Sequence, residues 1–108
     1  MAFNHSFKIY IPSTVDVNNT VDSSAAVRGC LSFLSGMFGG ATAFDASGAW
    51  LSSSAGLVLE KITICYAFTN LAGKIRGRRA VLDYAKKVRD DMRQEAVSVE
   101  IDGKLYFV

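Results

Sequence analysis

The sequence predicts an α+β fold in which two helices lie on one side of an antiparallel sheet. The chain has 108 residues, which suits a single domain, residues 1–108, with one two-layer core. Half of its residues are hydrophobic and 20% are charged, as is typical of globular proteins. Segments with the two-residue repeat of strands also alternate with two segments that have the 3.6-residue repeat of helices. These observations together favour a sheet covered by helices.

The first half of the chain reads as a strand followed by a helix. Residues 6–12 alternate apolar and polar side chains, and Pro12 closes this strand. A polar loop over 13–21 leads to Asp22 and Ser23, which are typical helix N-caps. The apolar stripe of the predicted helix consists of Val27, Cys30, Leu31, Leu34 and Phe38.

A glycine pair, Gly39 and Gly40, is predicted to end this helix because glycine adopts the left-handed cap conformation without strain. Residues 41–52 and 57–69 then read as two strands joined by a serine-rich hairpin loop. One face of the second strand is predicted to carry Val58, Glu60, Ile62, Ile64, Tyr66 and Phe68. Its opposite face is predicted to carry Leu59, Lys61, Thr63, Cys65 and Ala67.

A second helical pattern runs from Asn70 to about Glu95. Gly73 and Gly77 each weaken a helix by about 1 kcal/mol relative to alanine, so we expect the regular helix to begin near Arg78. Its stripe consists of Val81, Ala85, Val88 and Met92, extended by Leu71, Ile75 and Leu82.

The C-terminal segment is a predicted β-hairpin, because Asp102-Gly103 separates two alternating runs and favours a type I′ turn. The element order is therefore β-α-β-β-α-β, with the last strand folded into a hairpin. That order predicts a ferredoxin-like two-layer sandwich, in which both helices cover one face of the sheet. The uncovered face must be solvated, bind a ligand or pair with another subunit, and its predicted residues are Lys8, Tyr10, Lys61, Thr63, Cys65 and Ala67.

Composition argues against several classes of protein. A net charge of +2 is too small to indicate nucleic-acid binding. The sequence has no uninterrupted apolar run of the roughly 20 residues that a membrane span requires, and its N-terminus lacks a signal pattern. We therefore expect a cytoplasmic protein. Cys30 and Cys65 could form a disulfide, but two buried free thiols fit a reducing compartment better. With one histidine, no metal site or cofactor is expected.

Candidate site residues each have a functional and a structural interpretation. Glu60, on the apolar side of its strand, could act as a general base or as an anchor for a ligand amine or hydroxyl. Alternatively, it reaches solvent or pairs with an arginine of the second helix. Trp50 could stack on a base or belong to the core. His5 lies in an N-terminus that we expect to be frayed, without an acidic neighbour, and is assigned no role.

A basic segment opens the second helix, where Lys74 is followed by three arginines. Four cations at a helix N-terminus oppose the helix dipole, and such a local conflict often marks a functional site. The segment is therefore the anion-site candidate, whereas a solvated helix face with local ion pairs is the alternative. The three arginines are Arg76, Arg78 and Arg79.

The motif FGGAT at residues 38–42, followed by GAW at 48–50 and an acidic residue in the next strand, resembles a family of small bacterial and mobile-element proteins. The similarity covers about residues 7–69, and the family has no established activity. If its shared positions mark a site, the resemblance implies a ligand site at Gly39, Gly40, Thr42, Trp50 and Glu60. Gly39-Gly40 follows a helix and precedes a strand, which is the reverse of the order in a phosphate-binding loop.

Three functions follow from these patterns. The first is a non-enzymatic, homo-oligomeric module that binds an anionic or nucleotide-like small molecule, such as a phage- or plasmid-borne sequestering protein. The second is an interaction or regulatory subunit that pairs through the open sheet face or the C-terminal edge strand. The third is a small dimeric ferredoxin-like enzyme with Glu60 as base. The first is preferred, because the basic segment, Trp50 and the uncovered sheet face occur in a sequence without a recognisable catalytic constellation.

Overall fold

The computed structural model of the protein describes residues 2–15, 19–20 and 22–108. The strands of the main sheet are β1 (His5–Pro12), β4 (Thr42–Ser52), β5 (Gly56–Thr69), β6 (Ser98–Ile101) and β7 (Lys104–Phe107). Two short strands, β2 (Thr14–Val15) and β3 (Asn19–Thr20), pair with each other inside the predicted loop, of which residues 16–18 and 21 lie outside the described residues. The helices are α1 (Ser24–Phe38) and α2 (Leu71–Asp91).

The five strands are ordered β4-β5-β1-β6-β7, and every neighbouring pair is antiparallel. This order and the two helices confirm the predicted ferredoxin-like α+β sandwich. The predicted C-terminal hairpin is also present, because Asp102 and Gly103 have φ values of 52° and 81°, as a type I′ turn requires. Gly39 ends α1 with φ 91°, which confirms the predicted left-handed cap.

The start of α2 differs from the prediction. The helix begins at Leu71 rather than near Arg78, because the Asn70 side chain accepts a hydrogen bond of 2.8 Å from the Gly73 N–H and caps the first turn. Leu71 and Ile75 are 57% and 70% exposed, so they do not extend the buried stripe as predicted.

Close packing of the two helices depends on Gly77, which is buried. A Cβ atom at this position would lie 2.7 Å from Cζ of Phe38. The Phe38 ring in turn stacks on Phe7 of β1, with centroids 5.1 Å apart. The core around this stack is formed by Ile9, Ile11, Cys30, Leu34, Cys65, Ala67, Val81, Ala85, Val88, Met92, Val97, Val99 and Ile101.

The predicted faces of β5 are confirmed as sets, but the prediction of which set faces the helices is wrong. Cys65 and Ala67 are buried under the helices, where they pair with Ile9 and Phe7 of β1. Thr63 lies on the same side, opposite Ile11. Small side chains on this side allow the helices to approach the sheet, while the bulky isoleucine and aromatic residues of β5 occupy the open face.

The outer half of the β4–β5 hairpin projects beyond the body of the molecule, whose extents are 48 × 25 × 21 Å. We call residues 47–61 the distal ribbon, because β5 pairs with β1 only from Ile62 onward. Its apolar side chains are exposed on both faces, to the extent of 47% for Trp50, 79% for Leu51 and 73% for Leu59. The alternative that Trp50 belongs to the core is therefore wrong.

Candidate functional site

The open face of the sheet, on the side away from the helices, is rich in aromatic side chains. Phe44 and Phe68 each pack edge-on against Tyr66, with ring centroids 5.7 Å apart. At the β1–β6 boundary, Lys8 and Glu100 form an ion pair of 3.1 Å. This surface is a mainly apolar platform with few charges, and its other large members are Trp50, Ile62, Ile64, Leu105 and Phe107.

Glu60 lies on the open face of the distal ribbon, directly opposite Gly48 of β4. A Cβ atom at Gly48 would be 3.5 Å from Cγ and 3.6 Å from Oε1 of Glu60, so the carboxylate lies over the glycine backbone. Trp50 pairs with Val58, two positions along the same face, which places it diagonally next to Glu60 at about 7–8 Å between Cα atoms. Gly48 thus makes room for a carboxylate beside an exposed indole.

Glu60 differs from the other open-face carboxylate in having no salt-bridge partner within the part of the chain that the structure describes. Glu100 is neutralised by Lys8 and also accepts a hydrogen bond of 3.4 Å from the Tyr10 hydroxyl, which helps to raise the Tyr10 pKa after the larger effect of burial. Glu60 is therefore available to a cationic or hydroxylic ligand. The alternative in which it pairs with an arginine of α2 does not occur.

Gly39, Gly40 and Thr42 lie at the other end of the sheet. They line a groove of about 620 Å³ together with Phe3, Phe38, Ala41, Tyr66, Ala67 and Phe68. Gly48 lies six positions after Thr42 in β4, which corresponds to about 20 Å along the strand. The residues of the FGGAT-type pattern are therefore divided between two places, the groove and the distal ribbon.

The arginines of α2 lie on the helix layer, away from the open face. Arg78 places its guanidinium 5.4 Å from the centroid of the Tyr106 ring. Arg79 is 94% exposed at its side chain and approaches Asp83 at 3.9 Å, as the four-residue spacing predicts. Arg76 is exposed as well. The structure therefore does not bring these residues together with Glu60 and Trp50.

A polar cluster that sequence reasoning missed joins the start of β1 to the turn after β6. Asp102 accepts hydrogen bonds from the His5 ring at 2.8 Å and from the Ser6 N–H at 2.9 Å, and it forms an ion pair with Lys74. The Lys74 and His5 contacts, with the Ser6 N–H, hold the pKa of Asp102 well below its usual range. The expectation that His5 lies in a frayed N-terminus is wrong. Because His5 and Asp102 are 97 positions apart in the sequence, no local pattern could predict their contact.

The described residues contain no group of three or more His, Cys, Asp or Glu side chains placed to hold a metal ion. In the same part of the chain, neither helix has both the length and the apolar character needed to cross a bilayer.

Two solved structures of a phage SAM lyase share this fold. The complex with S-methyl-5′-thioadenosine is 23% identical in sequence with a TM-score of 0.73, and the match covers 100% of this chain and 92% of that chain. The apo structure is 20% identical with a TM-score of 0.69, over 98% of this chain and 89% of that chain. No family model and no curated protein matches the chain.

These structures correct the preferred prediction of a non-enzymatic binding module. Proteins that share the fold over essentially the whole chain are enzymes, and one of them holds a nucleoside-like small molecule. The sequence misled us because it contains no familiar arrangement of nucleophile and base, and we took that absence as an argument against catalysis.

Proposed function

We propose that this protein is a lyase that cleaves S-adenosylmethionine or a related adenosyl sulfonium compound, with its reaction site on the open face of the distal ribbon. The observation that carries the proposal is the match, over the full chain, to a SAM lyase in complex with S-methyl-5′-thioadenosine. A cytoplasmic location and a role as a phage accessory protein agree with this substrate and with the source of the neighbours. The resemblance through the FGGAT pattern stays a prediction.

Formation of S-methyl-5′-thioadenosine from S-adenosylmethionine requires a particular bond to break. The product retains the methyl and adenosyl groups, so the bond between sulfur and the γ-carbon of the amino-acid part is cleaved. The electron pair stays on sulfur, and the sulfonium becomes a neutral thioether. Water takes no part in a lyase reaction, so the γ-carbon that loses sulfur must form a new bond within the four-carbon fragment. Either the fragment's own carboxylate attacks the γ-carbon and forms a lactone, or a base removes a β-proton and a double bond forms between the β- and γ-carbons.

Glu60 and Trp50 have the chemistry that such a substrate needs. The Glu60 carboxylate is exposed to solvent, where it can attract a cation and accept hydrogen bonds from ribose hydroxyls. The exposed indole of Trp50 offers a flat surface for adenine or for the sulfonium cation. The groove at Gly39 and Gly40 is less suitable, since no carboxylate or other charged side chain lines it.

Self-association belongs to the same proposal. The open face exposes Phe44, Trp50, Phe68, Leu105 and Phe107 at 45%, 47%, 53%, 48% and 71%. Contiguous apolar surface of this kind is characteristic of interfaces, and a second copy of the chain would enclose the Glu60 carboxylate and exclude water. Light scattering after size exclusion measures the assembly, and a monomer at micromolar concentration would contradict this part of the proposal.

The test is direct. Purified protein is incubated with S-adenosylmethionine, and S-methyl-5′-thioadenosine and the four-carbon product are measured by liquid chromatography and mass spectrometry. We expect the wild type to form product and Glu60→Gln to lose at least about 100-fold in rate. Asp83→Asn, which removes a carboxylate from the exposed surface of α2, is the matched control and should retain full activity.

Two outcomes would count against the proposal. Wild-type protein that forms no product from S-adenosylmethionine or its close sulfonium analogues would overturn the lyase activity. If Glu60→Gln forms product at the wild-type rate, the protein is still a lyase, but Glu60 has no role in the reaction. The identity of the four-carbon product, a lactone or an unsaturated amino acid, separates carboxylate attack from proton loss.

A further inference from the structure

A groove on the helix side of the sheet runs between the start of α1 and the strands β4 and β5. It has two adjoining parts, of about 500 Å³ and about 360 Å³, and Ser23, Asp45 and Thr63 line both of them. We call it the α1–β4 groove. Glu60 lies on the opposite side of the sheet, so this groove is separate from the proposed reaction site.

Asp45 is held in place where the two parts of the α1–β4 groove meet. It lies directly opposite Thr63 in the pairing of β4 with β5, and the Thr63 hydroxyl donates a hydrogen bond of 3.1 Å to Oδ1 of Asp45. The second oxygen, Oδ2, accepts no hydrogen bond from the residues that the structure describes. The groove therefore contains a positioned carboxylate with one oxygen available to a ligand.

Two cations flank this carboxylate without pairing with it. Lys61 lines the smaller part of the groove and lies diagonally from Asp45 on the same face of the sheet, at about 7–8 Å between Cα atoms. Arg28 of α1 lines the larger part. Within the described part of the chain, neither cation forms a salt bridge. Both are therefore available to an anionic group.

The larger part of the groove also has an apolar wall. Val27 and Leu31 of α1 line it together with Ala43 of β4, and all three side chains are only half-buried. They expose apolar surface that a ligand would cover. Charged groups of both signs beside apolar surface are typical of sites that orient a small molecule by its polar end.

The N-terminus of α1 borders the groove, but it is already capped, because the Ser24 N–H donates a hydrogen bond of 2.9 Å to Oδ1 of Asp22. The side chains therefore set the charge of the groove. A simple anion such as phosphate would be repelled by the Asp45 carboxylate, and a simple cation would be repelled by Lys61 and Arg28. The groove thus favours a ligand that carries both charges.

We propose that the α1–β4 groove binds a free α-amino acid with an apolar side chain. The ligand ammonium donates a hydrogen bond to Oδ2 of Asp45, and the ligand carboxylate accepts one from the Lys61 ammonium. Both charged groups of the ligand are attached to one carbon, so it can contact Asp45 and Lys61 together while its side chain packs on Val27 and Leu31. The proposal does not depend on the lyase activity.

The experiment titrates isotope-labelled, full-length protein with L-leucine and follows the backbone amide signals by NMR. L-Leucine has neither a sulfonium nor an adenosyl group, so its binding does not report on the lyase site. The charged side chains of the groove are exposed, which weakens each ion pair, and we expect a Kd of about 1 mM. The largest shifts should occur in residues 43–47 and 61–63.

Three related compounds test which groups of the ligand are recognised. N-Acetyl-L-leucine lacks the ammonium, L-leucinamide lacks the carboxylate, and glycine lacks the apolar side chain. Each should bind at least about 10-fold more weakly than L-leucine. These comparisons use only the wild-type protein, so they do not depend on the folding of any variant.

Two substitutions test the assigned side chains. Asp45→Asn and Lys61→Gln should each weaken L-leucine binding at least about 10-fold, and both residues are exposed, so the fold should be retained. Asp83→Asn on α2 and Lys104→Gln on β7 remove the same charges from exposed positions elsewhere and should leave the affinity unchanged.

Three results would overturn the proposal. The first is wild-type protein that shows no saturable shifts with L-leucine up to about 50 mM. The second is N-acetyl-L-leucine or L-leucinamide binding as tightly as L-leucine, because the groove would then not recognise both charges. The third is L-leucine binding that Asp45→Asn and Lys61→Gln leave unchanged, because the ligand would then lie elsewhere.

Discussion

Replacement of Gly77 by alanine tests the helix–helix packing most directly. The new Cβ would lie 2.7 Å from Cζ and 2.8 Å from Cε1 of Phe38. The Phe38 ring cannot retreat freely, because Phe7 stacks against it at 5.1 Å and is itself fully buried. Contacts must therefore lengthen by about 1 Å, and overpacking of this kind costs about 1–3 kcal/mol.

Helix propensity acts in the opposite direction. Alanine is more favourable than glycine inside a helix by about 1 kcal/mol, so the net loss of unfolding free energy for Gly77→Ala is about 0–2 kcal/mol. Gly36→Ala is the matched control, since Gly36 lies in α1 and nothing lies within 4 Å of its added Cβ. That control should gain up to about 1 kcal/mol.

Urea unfolding monitored by circular dichroism measures both variants against the wild type. The two substitutions are chemically identical, so their difference, about 2 kcal/mol, isolates the contact with Phe38. A corresponding difference in melting temperature of about 10 °C is expected for a domain of this size. If Gly77→Ala proves as stable as Gly36→Ala, the packing of α2 on Phe38 described here is incorrect.

Three further predictions concern charge and ligand binding. Asp102→Asn should lower the unfolding free energy by about 1–2 kcal/mol at pH 7, because it removes the shared acceptor of His5 and Lys74. Since the Asp102 pKa is depressed in the folded protein, this contribution to stability is present above about pH 4 and disappears as the pH falls further. The unfolding free energies of the wild type and Asp102→Asn should therefore converge when both are measured at decreasing pH. Arg79→Ala should change stability by less than about 0.5 kcal/mol in the same assay, because its side chain is 94% exposed, and a larger loss would contradict a solvated ion pair. Trp50→Ala should weaken binding of S-methyl-5′-thioadenosine about 10-fold or more, as measured by calorimetry. Leu51→Ala, on the opposite face of the ribbon, should leave the affinity unchanged. If both substitutions weaken binding equally, the ligand does not stack on Trp50.

Features that depend on neighbouring residues were predictable. Gly39 ends α1 because the cap requires a positive φ, which glycine adopts without strain. The turn at Asp102-Gly103 also requires positive φ values, which aspartate tolerates and glycine favours. Asn70 is a typical N-cap residue, but only the glycines of α2 entered our prediction of where the regular helix begins. A single side-chain hydrogen bond at the N-terminus proved sufficient to start the helix at Leu71.

The candidate site was only partly predictable. The sequence singled out Glu60 and Trp50, and the pairing of β4 with β5 places them side by side on an exposed ribbon. Gly39 and Gly40 were grouped with them because the motifs are close in sequence, although an extended strand carries them to opposite ends of the sheet. The arginines of α2 were grouped by charge alone, and the helix layer separates them from the open face.

By itself the sequence determined the order of the two helices and of the main-sheet strands, the turns between them and the central part of each apolar stripe, because each depends on residues a few positions apart. The tertiary structure alone decided which face of β5 meets the helices, how far the distal ribbon projects, and which side chains meet across the chain. Both faces of β5 are largely apolar, so alternation could not distinguish them. Pairing with β1 and the close approach of the helices selected the face with the small side chains, and that choice left Glu60 on the open face.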